Sequence, residues 1–255
     1  MEKAQDAVPA QNLRGGAFQE NIKTAKKAAR SKARLLLKGL SATEREEQSQ
    51  KAAASFLNSS IYKSSDCVAA FFSLAEEVDA LPIIERAFID KKRVLLPRVA
   101  AGSNAMDFYE LAAPLVLASD FSAAPVLGVE SVSDNAAPVL GVEAVPPRVP
   151  VLQALDAQTE ANAWGIREPL PTLPLIEKKD FPARTAILVP GLAFCKDGRR
   201  LGRGKGFYDR YLSELLAANP IFAERGKICG YCMAVQVAEN VPTEESDVRV
   251  QELFC

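Results

Sequence analysis

Short apolar segments that alternate with helix-patterned segments constrain the fold of this 255-residue chain most strongly. The apolar segments show little polar alternation, which is typical of strands buried on both faces of a sheet. They occupy residues 67–72, 93–97, 185–190 and 227–233. Helical spacing and capping signals predict helices at residues 21–40, 41–57, 82–91 and 207–218. The alternation predicts a three-layer α/β fold, in which a mostly parallel sheet is covered by helices on both faces.

The predicted organisation is a single domain at residues 21–255, preceded by a disordered tail at residues 1–20. A loop-rich insertion is predicted at residues 111–163, where prolines are frequent. Within it the sequence AAPVLGVE occurs at residues 123–130 and again at residues 136–143. Two copies are too few for a solenoid, which needs about three repeats to bury a core. The pattern therefore indicates a local duplication.

The composition disfavours several classes of function. The formal net charge is −1, so no overall field attracts nucleic acid or an anionic membrane. No apolar run approaches the ~20 residues that span a bilayer, and the N-terminal residues lack the apolar core of a secretory signal. The chain has no histidine, which excludes histidine triads and histidine-bound zinc. We expect a cytoplasmic monomer, with the mitochondrion as the alternative compartment, that binds small molecules rather than nucleic acid or membranes.

The cysteines give no framework for disulfides. Their odd number, five, and their irregular spacing favour reduced thiols. Cys229 and Cys232 form a C-x-x-C pattern, but they lie on a predicted strand, where residues three apart face opposite sides. Two small apolar side chains are therefore the favoured interpretation, ahead of a redox or zinc site.

The segment at residues 196–206 carries the strongest functional signal. It contains five basic residues, one acidic residue and four glycines between a predicted strand and a predicted helix. Glycines let backbone N–H groups converge on an anion, arginine binds phosphate oxygens in pairs, and a helix N-terminus favours negative charge. The spacing fits neither the Walker A nor the Rossmann pattern. A polyphosphate site and a flexible basic surface loop both remain open, and Asp209 is either a helix-dipole partner or a magnesium ligand.

The sequences PGLAF at residues 190–194 and DGRRLGRGKGFYDRYL at residues 197–212 resemble the signature of the 5-formyltetrahydrofolate cyclo-ligase family, also called methenyltetrahydrofolate synthetases. Further segments resemble that family at residues 25–30, 40–41, 71–79, 96–98, 106–108, 164–169 and 241–247. The resemblance covers nearly all of residues 22–254 except the central insertion.

The resemblance implies a fold similar to that of sugar-phosphate isomerases and CoA transferases. It also implies a ligase that uses ATP and magnesium to convert 5-formyltetrahydrofolate (folinic acid) to 5,10-methenyltetrahydrofolate. The formyl oxygen would be phosphorylated, N10 would close the ring, and ADP and phosphate would be released. Phosphoryl transfer asks a protein chiefly for positioning and charge neutralisation, which suits a chain without histidine.

The resemblance further implies the residues of the site. Those implied to bind ATP are Lys26, Arg30, Arg200, Leu201, Gly202, Arg203, Gly204, Lys205, Gly206, Phe207 and Tyr208. Those implied to bind the folate are Phe72, Glu77, Trp164, Arg203, Gly204, Lys205, Gly206 and Phe207. Catalysis is implied for Lys205, Arg203 and Tyr208, and magnesium binding for Asp209 and Asp247. Phe72 fits a core position equally well, and Lys23, Lys27 and Lys38 are interpreted as solvated surface.

Three positions depart from the usual family pattern, namely Cys195, Ser246 and Gln251, and they leave the fine geometry of the loop and metal site open. An ATP-dependent enzyme with a different acceptor and a non-catalytic folate or nucleotide binder are the alternatives. The presence of Glu77, Lys205 and Asp209 favours an enzyme. RNA binding has little support, because the loop lacks several aromatic stacking positions and the net charge is near zero.

Overall fold

The fold is that of a computed structural model, in which residues 10–100, 102–103, 105–113, 149–162 and 165–255 are described. The helices are α1 (Ala10–Lys38), α2 (Ala42–Asn58), α3 (Ser60–Ser64), α4 (Leu81–Ile89), α5 (Val149–Gln158), α6 (Phe207–Ala218) and α7 (Pro220–Arg225). The strands are β1 (Cys67–Ala69), β2 (Arg93–Val99), β3 (Met106–Leu111), β4 (Thr159–Ala161), β5 (Arg167–Pro169), β6 (Leu175–Ile176), β7 (Thr185–Val189), β8 (Ala193–Phe194), β9 (Arg200–Leu201), β10 (Lys227–Tyr231) and β11 (Glu252–Phe254).

The central sheet contains seven strands in the order β11-β10-β7-β1-β2-β3-β6. The strands from β11 to β2 run parallel, whereas β3 pairs antiparallel with both β2 and β6. Two antiparallel pairs, β4–β5 and β8–β9, lie outside this sheet. Parallel strands need crossover connections, and these are supplied by α4 between β1 and β2 and by α6 and α7 between β7 and β10. The predicted mostly parallel α/β fold is confirmed.

Buried strand residues alternate between two cores, one on each face of the sheet, because successive side chains of a strand point to opposite faces. Val68 and Val94 belong to the first core, which also contains buried residues of α1, α2 and α4. Cys67 and Leu95 belong to the second core, which contains buried residues of α6 and α7. Both faces of the sheet are therefore covered, and ligands have access at the strand ends.

The first helix is longer than the sequence predicted. It begins at Ala10 rather than at residue 21, so that residues 10–20 are helical instead of part of a tail. The capping box that starts the second helix is confirmed, since Ser41 Oγ accepts from the amide of Glu44 and the Glu44 carboxylate accepts from the amide of Ser41. Within the described residues, no helix is long and apolar enough to cross a membrane.

Part of the predicted loop-rich insertion is regular structure. Residues 149–158 form α5 and residues 159–161 form β4, which pairs with β5. The Gln158 side chain bonds both the amide and the carbonyl of Ala112, at 2.7 and 3.0 Å. Hydrophobic periodicity missed α5, because its apolar residues are not spaced as one face. Both copies of AAPVLGVE lie outside the described residues.

Candidate active site

The glycine-rich segment lies beyond the carboxyl end of β7. Two short strands, β8 and β9, form a hairpin there, and the chain then passes through residues 202–206 into α6. A Cβ on Gly191 would lie 2.7 Å from the Phe194 ring, so the start of the hairpin requires glycine. Gly204 and Gly206 have φ values of 109° and 67°, which side chains disfavour. The sequence thus places a tight loop at the position where ligands of parallel sheets bind.

A cavity of about 530 Å³ opens beside this loop. Its walls come from α1, the loop at residues 202–206, the first two turns of α6 and the segment at residues 244–247. It is lined by Lys23, Lys26, Arg30, Arg200, Leu201, Gly202, Gly204, Gly206, Asp209, Arg210, Ser213, Glu214, Glu244, Ser246 and Asp247. Cations and carboxylates are interleaved on these walls, which suits a ligand that brings both phosphates and a metal ion.

Lys26, on α1, forms ion pairs with two carboxylates near the end of the sequence. Its side chain is buried, and Nζ lies 2.7 Å from Asp247 Oδ2 and 3.4 Å from Glu244 Oε2. Asp247 Oδ2 also accepts from the amide of Glu244, at 2.7 Å. A buried ammonium group needs such partners, so this contact fixes the segment at residues 244–247 against α1.

Arg200 and Asp209 form a buried pair behind the loop. The Arg200 side chain is 4% exposed, and Nη2 lies 2.6 Å from Asp209 Oδ1. The same carboxylate oxygen accepts from the amide of Val248, at 3.2 Å, while Arg200 Nη1 donates to the carbonyl of Pro190. Arg200 therefore holds one oxygen of Asp209 in a fixed orientation at the start of α6.

Arg30 clamps the loop from α1. Its Nε donates to the carbonyl of Gly202, at 3.0 Å. A Cβ on Gly204 would lie 3.3 Å from Arg30 Cζ. The absence of a side chain at Gly204 thus allows the guanidinium group to lie directly against the loop backbone.

Arg203 points away from the cavity, toward the turn that follows β1. Its Nε lies 2.8 Å from Glu77 Oε1, and its Nη atoms lie 3.3 Å from Glu76 Oε1. The other Glu77 oxygen accepts from the amide of Leu74, at 3.0 Å. An arginine implied to bind phosphate is therefore paired with the carboxylate implied to bind the folate.

Tyr208 lies between these two ion pairs. Its hydroxyl is buried and has no hydrogen-bond partner among the described residues. Burial raises the pKa of Tyr208 and the charge of Glu77 raises it further, while Arg200, whose Cζ lies 5.9 Å from the ring centroid, lowers it. The phenol therefore stays protonated at neutral pH and has a hydrogen to donate to a ligand.

The structure brings together most of the residues that the resemblance implied. Nine of them line the cavity, namely Lys26, Arg30, Arg200, Leu201, Gly202, Gly204, Gly206, Asp209 and Asp247.

Lys205 is exposed and forms no hydrogen bond or ion pair with another described residue. Phe207 contributes to the second core, with Arg210 Cζ 5.7 Å from its ring centroid. Phe72 packs partly against the first core, with Arg167 Cζ 5.8 Å from its ring centroid. Trp164 lies outside the described residues.

Sequence reasoning missed six residues that line the cavity. They are Lys23, Arg210, Ser213, Glu214, Glu244 and Ser246. Lys23 was interpreted as solvated surface, although it lies three residues before Lys26 and so shares its helix face. Ser213 likewise follows Asp209, and Arg210 follows Gly206, at a spacing of four residues. Helix periodicity measured from the implied site residues would have found these three.

Fold and site together define an α/β protein with a basic, glycine-rich loop at the carboxyl end of its parallel strands. Residues 22–143 and 138–255 match the 5-formyltetrahydrofolate cyclo-ligase family. The 5-formyltetrahydrofolate cyclo-ligase of Mus musculus is 26% identical over 237 residues, which is 91% of this chain and 94% of that protein. A probable 5-formyltetrahydrofolate cyclo-ligase of Caenorhabditis elegans is 26% identical over 91% of this chain and 93% of its own.

Two solved structures share the fold. The 5,10-methenyltetrahydrofolate synthetase of Aquifex aeolicus aligns with a TM-score of 0.59 and 24% identity, over 90% of this chain and 88% of its own. The synthetase of Mycoplasma pneumoniae aligns with a TM-score of 0.54 and 18% identity, over 90% of this chain and 97% of its own. The chain therefore belongs to the 5-formyltetrahydrofolate cyclo-ligase family, and it is an enzyme of that family.

Proposed function

We propose that this enzyme uses ATP and magnesium to convert 5-formyltetrahydrofolate to 5,10-methenyltetrahydrofolate. The observation that carries the proposal is the cavity of about 530 Å³ in which α1, the loop at residues 202–206, α6 and the segment at residues 244–247 bring cations and carboxylates together. A nucleotide polyphosphate with its metal ion has the complementary charges. Family membership supplies the second substrate, a formylated folate.

The loop side of the site would hold the nucleotide. Backbone amides of residues 202–206 and the N-terminus of α6 face an anion favourably. Lys205 is exposed and uncommitted, so its ammonium group can turn toward the transferred phosphoryl group. Arg30 is anchored on Gly202 and lines the same cavity, where it would neutralise phosphate charge.

The carboxylates fit a magnesium ion that arrives with the nucleotide. Asp209 and Asp247 both line the cavity, and no group of three metal-ligating side chains occurs among the described residues. Magnesium commonly uses one or two carboxylates together with phosphate oxygens and water, so two carboxylates suffice. Arg200 holds Asp209 Oδ1 and Lys26 holds Asp247 Oδ2, which leaves the second oxygen of each for the ion. The ion would neutralise charge on the phosphates.

The folate would lie on the side of the loop that faces Glu77. Glu77 would fix the pterin by accepting hydrogen bonds, and Phe72 would pack against a ring. The formyl oxygen attacks the γ-phosphorus and ADP leaves. N10 then attacks the activated formyl carbon and loses its proton, which the departing phosphate takes up as the carbon–oxygen bond breaks. The buried Tyr208 hydroxyl lies beside Glu77 and is placed to donate a hydrogen bond to the folate.

The direct test is the appearance of the methenyl product by its absorbance, with 5-formyltetrahydrofolate, ATP and magnesium supplied in turn and together. We expect product with the complete mixture and none when any component is omitted. Lys205→Ala is expected to lower kcat/KM by about 100-fold or more, on the scale of removing one donor that stabilises charge in a transition state.

The control is Lys27→Ala, which removes another exposed lysine that does not line the cavity. It is expected to keep full activity. Folded protein that gives no product with the complete mixture would overturn the proposed activity, and full activity in Lys205→Ala would overturn the role of that lysine.

A further inference from the structure

Cys232 and Cys255 face each other at the ends of two adjacent parallel strands. Strands β10 and β11 pair in the register Cys229 with Glu252 and Tyr231 with Phe254. The amide of Cys232 donates to the carbonyl of Phe254, at 3.1 Å, so the ladder continues one step beyond β10. The next pair in the same register is therefore Cys232 with Cys255.

The two thiols lie on the same face of the sheet. Tyr231 and Phe254 belong to the first core, with α2, whereas Cys232 belongs to the second core, with α6. Because side chains alternate along a strand, Cys255 points to the same face as Cys232. Neighbouring strands lie about 4.8 Å apart, and disulfides join Cα atoms separated by roughly 4.4–6.8 Å. The geometry suits a bond without movement of the backbone.

The environments of the two cysteines differ in a way that favours thiol exchange. Cys232 is fully buried and Cys255 is exposed. A hydrogen bond from the Cys232 thiol, together with the charge of Lys196, lowers the pKa of Cys255 to about 6 despite partial burial. The same contact raises the pKa of Cys232. Cys255 is thus a thiolate at neutral pH, and the thiolate is the nucleophile in disulfide exchange.

We propose that Cys232 and Cys255 form a redox-active dithiol that a low-molecular-weight disulfide, such as glutathione disulfide, closes. The Cys255 thiolate attacks one sulfur of glutathione disulfide, and the other glutathione leaves as a thiolate. The Cys232 thiol then gives its proton to the departing glutathione sulfur as its own sulfur attacks Cys255 and expels the second glutathione. The first leaving thiolate is protonated from solvent. The Cys255 thiolate and the Cys232 thiol together lose two electrons and one proton, and glutathione disulfide gains two electrons and two protons, one from Cys232 and one from solvent.

The remaining cysteines do not provide an equivalent pair. Cys67, Cys195 and Cys229 are buried, and burial raises the pKa of each. Cys229 packs in the first core and Cys232 in the second. The two cysteines of the C-x-x-C pattern therefore point to opposite faces of the sheet, as the sequence predicted.

The test is to treat the reduced, full-length protein with glutathione disulfide and to count free thiols after denaturation, with peptide mapping by mass spectrometry. We expect the count to fall from five to three and a Cys232–Cys255 peptide lighter by two hydrogen atoms. Dithiothreitol is expected to restore five. Cys232→Ser is expected to accumulate a mixed disulfide with glutathione at Cys255, because the second thiol is missing.

Cys229→Ser is the matched control, and its count is expected to fall from four to two. Five thiols that persist in the wild type, a stable mixed disulfide there, a Cys229–Cys232 link or a covalent dimer through Cys255 would each overturn the proposal. The wild-type peptide map decides the question even if a serine variant does not fold.

Discussion

The ion pair between Arg203 and Glu77 is expected to weaken nucleotide binding in the absence of folate. If Arg203 contacts phosphate, it must first leave a carboxylate that lies 2.8 Å away. Glu77→Gln removes the charge on that carboxylate. The glutamine carbonyl can still accept from the amide of Leu74, so the turn is expected to persist. The variant should therefore bind ATP or ADP more tightly than the wild type when folate is absent.

The expected gain in nucleotide affinity follows from the geometry of the Arg203–Glu77 ion pair. At an effective dielectric constant of about 20, two charges 2.8 Å apart attract by roughly 6 kcal/mol, but desolvation and side-chain ordering offset most of this. Exposed pairs contribute about 0.2–1 kcal/mol. The Glu77 and Arg203 side chains are 10% and 31% exposed. We therefore expect the loss of this ion pair to strengthen nucleotide binding by about 1–2 kcal/mol. Since about 1.4 kcal/mol is tenfold in affinity, the Kd for nucleotide should fall by roughly 5- to 30-fold.

The assay is isothermal titration calorimetry with ADP and magnesium, without folate. Two variants with the same change of charge give the control. Glu76→Gln should give a smaller gain, because Glu76 lies 3.3 Å from Arg203 and is 46% exposed. Glu110→Gln breaks an ion pair with Arg93 at the amino end of β2, away from the site, and should leave Kd unchanged. Unchanged or weaker binding in Glu77→Gln, or an equal gain in Glu110→Gln, would refute the reasoning.

Two further predictions concern stability, and both are measured by urea denaturation. Arg200→Met should lower the free energy of unfolding by about 2–4 kcal/mol, because it leaves the partly buried Asp209 carboxylate without its cation. Adding Asp209→Asn should recover part of this loss. If the effects of the two substitutions simply add, the two residues do not stabilise each other and the argument is wrong. Asn219→Ala should also lower the free energy of unfolding by about 2–4 kcal/mol. The buried Asn219 amide nitrogen donates to three backbone carbonyls between β6 and β7, and its oxygen caps α7. The exposed Asn58→Ala should stay within about 0.5 kcal/mol, and an equal loss there would contradict the argument.

The sheet could be predicted from the sequence because its strands are buried on both faces. Segments such as Thr185–Val189 are apolar apart from one residue and are buried throughout, and the helices between them follow periodicity or carry capping signals. The loop at residues 202–206 could be predicted because glycine at Gly204 and Gly206 reflects backbone angles that other residues disfavour. These signals are local, so the sequence carries them directly.

The pairing of side chains could not be predicted, because it depends on packing between distant segments. Arg203 and Glu77 are 126 positions apart in the sequence. Nothing in the residues next to Arg203 indicates that it faces Glu77 rather than the cavity. The early start of α1 at Ala10 and the presence of α5 were missed for a related reason. Both segments lack a clear apolar face, so no local periodicity marks them as helical.

The contact between Lys26 and Asp247 spans 221 positions of the chain. A ribosome makes proteins from the amino end, so α1 emerges long before the carboxylate that holds its buried lysine. Until then Lys26 lacks its partner Asp247, and this part of α1 lacks its contact with the segment at residues 244–247. The cavity beside the loop is therefore among the last parts of the molecule to be completed, and a nascent chain that stalls before residue 247 would have its sheet strands up to β10 without the Asp247 wall of that cavity.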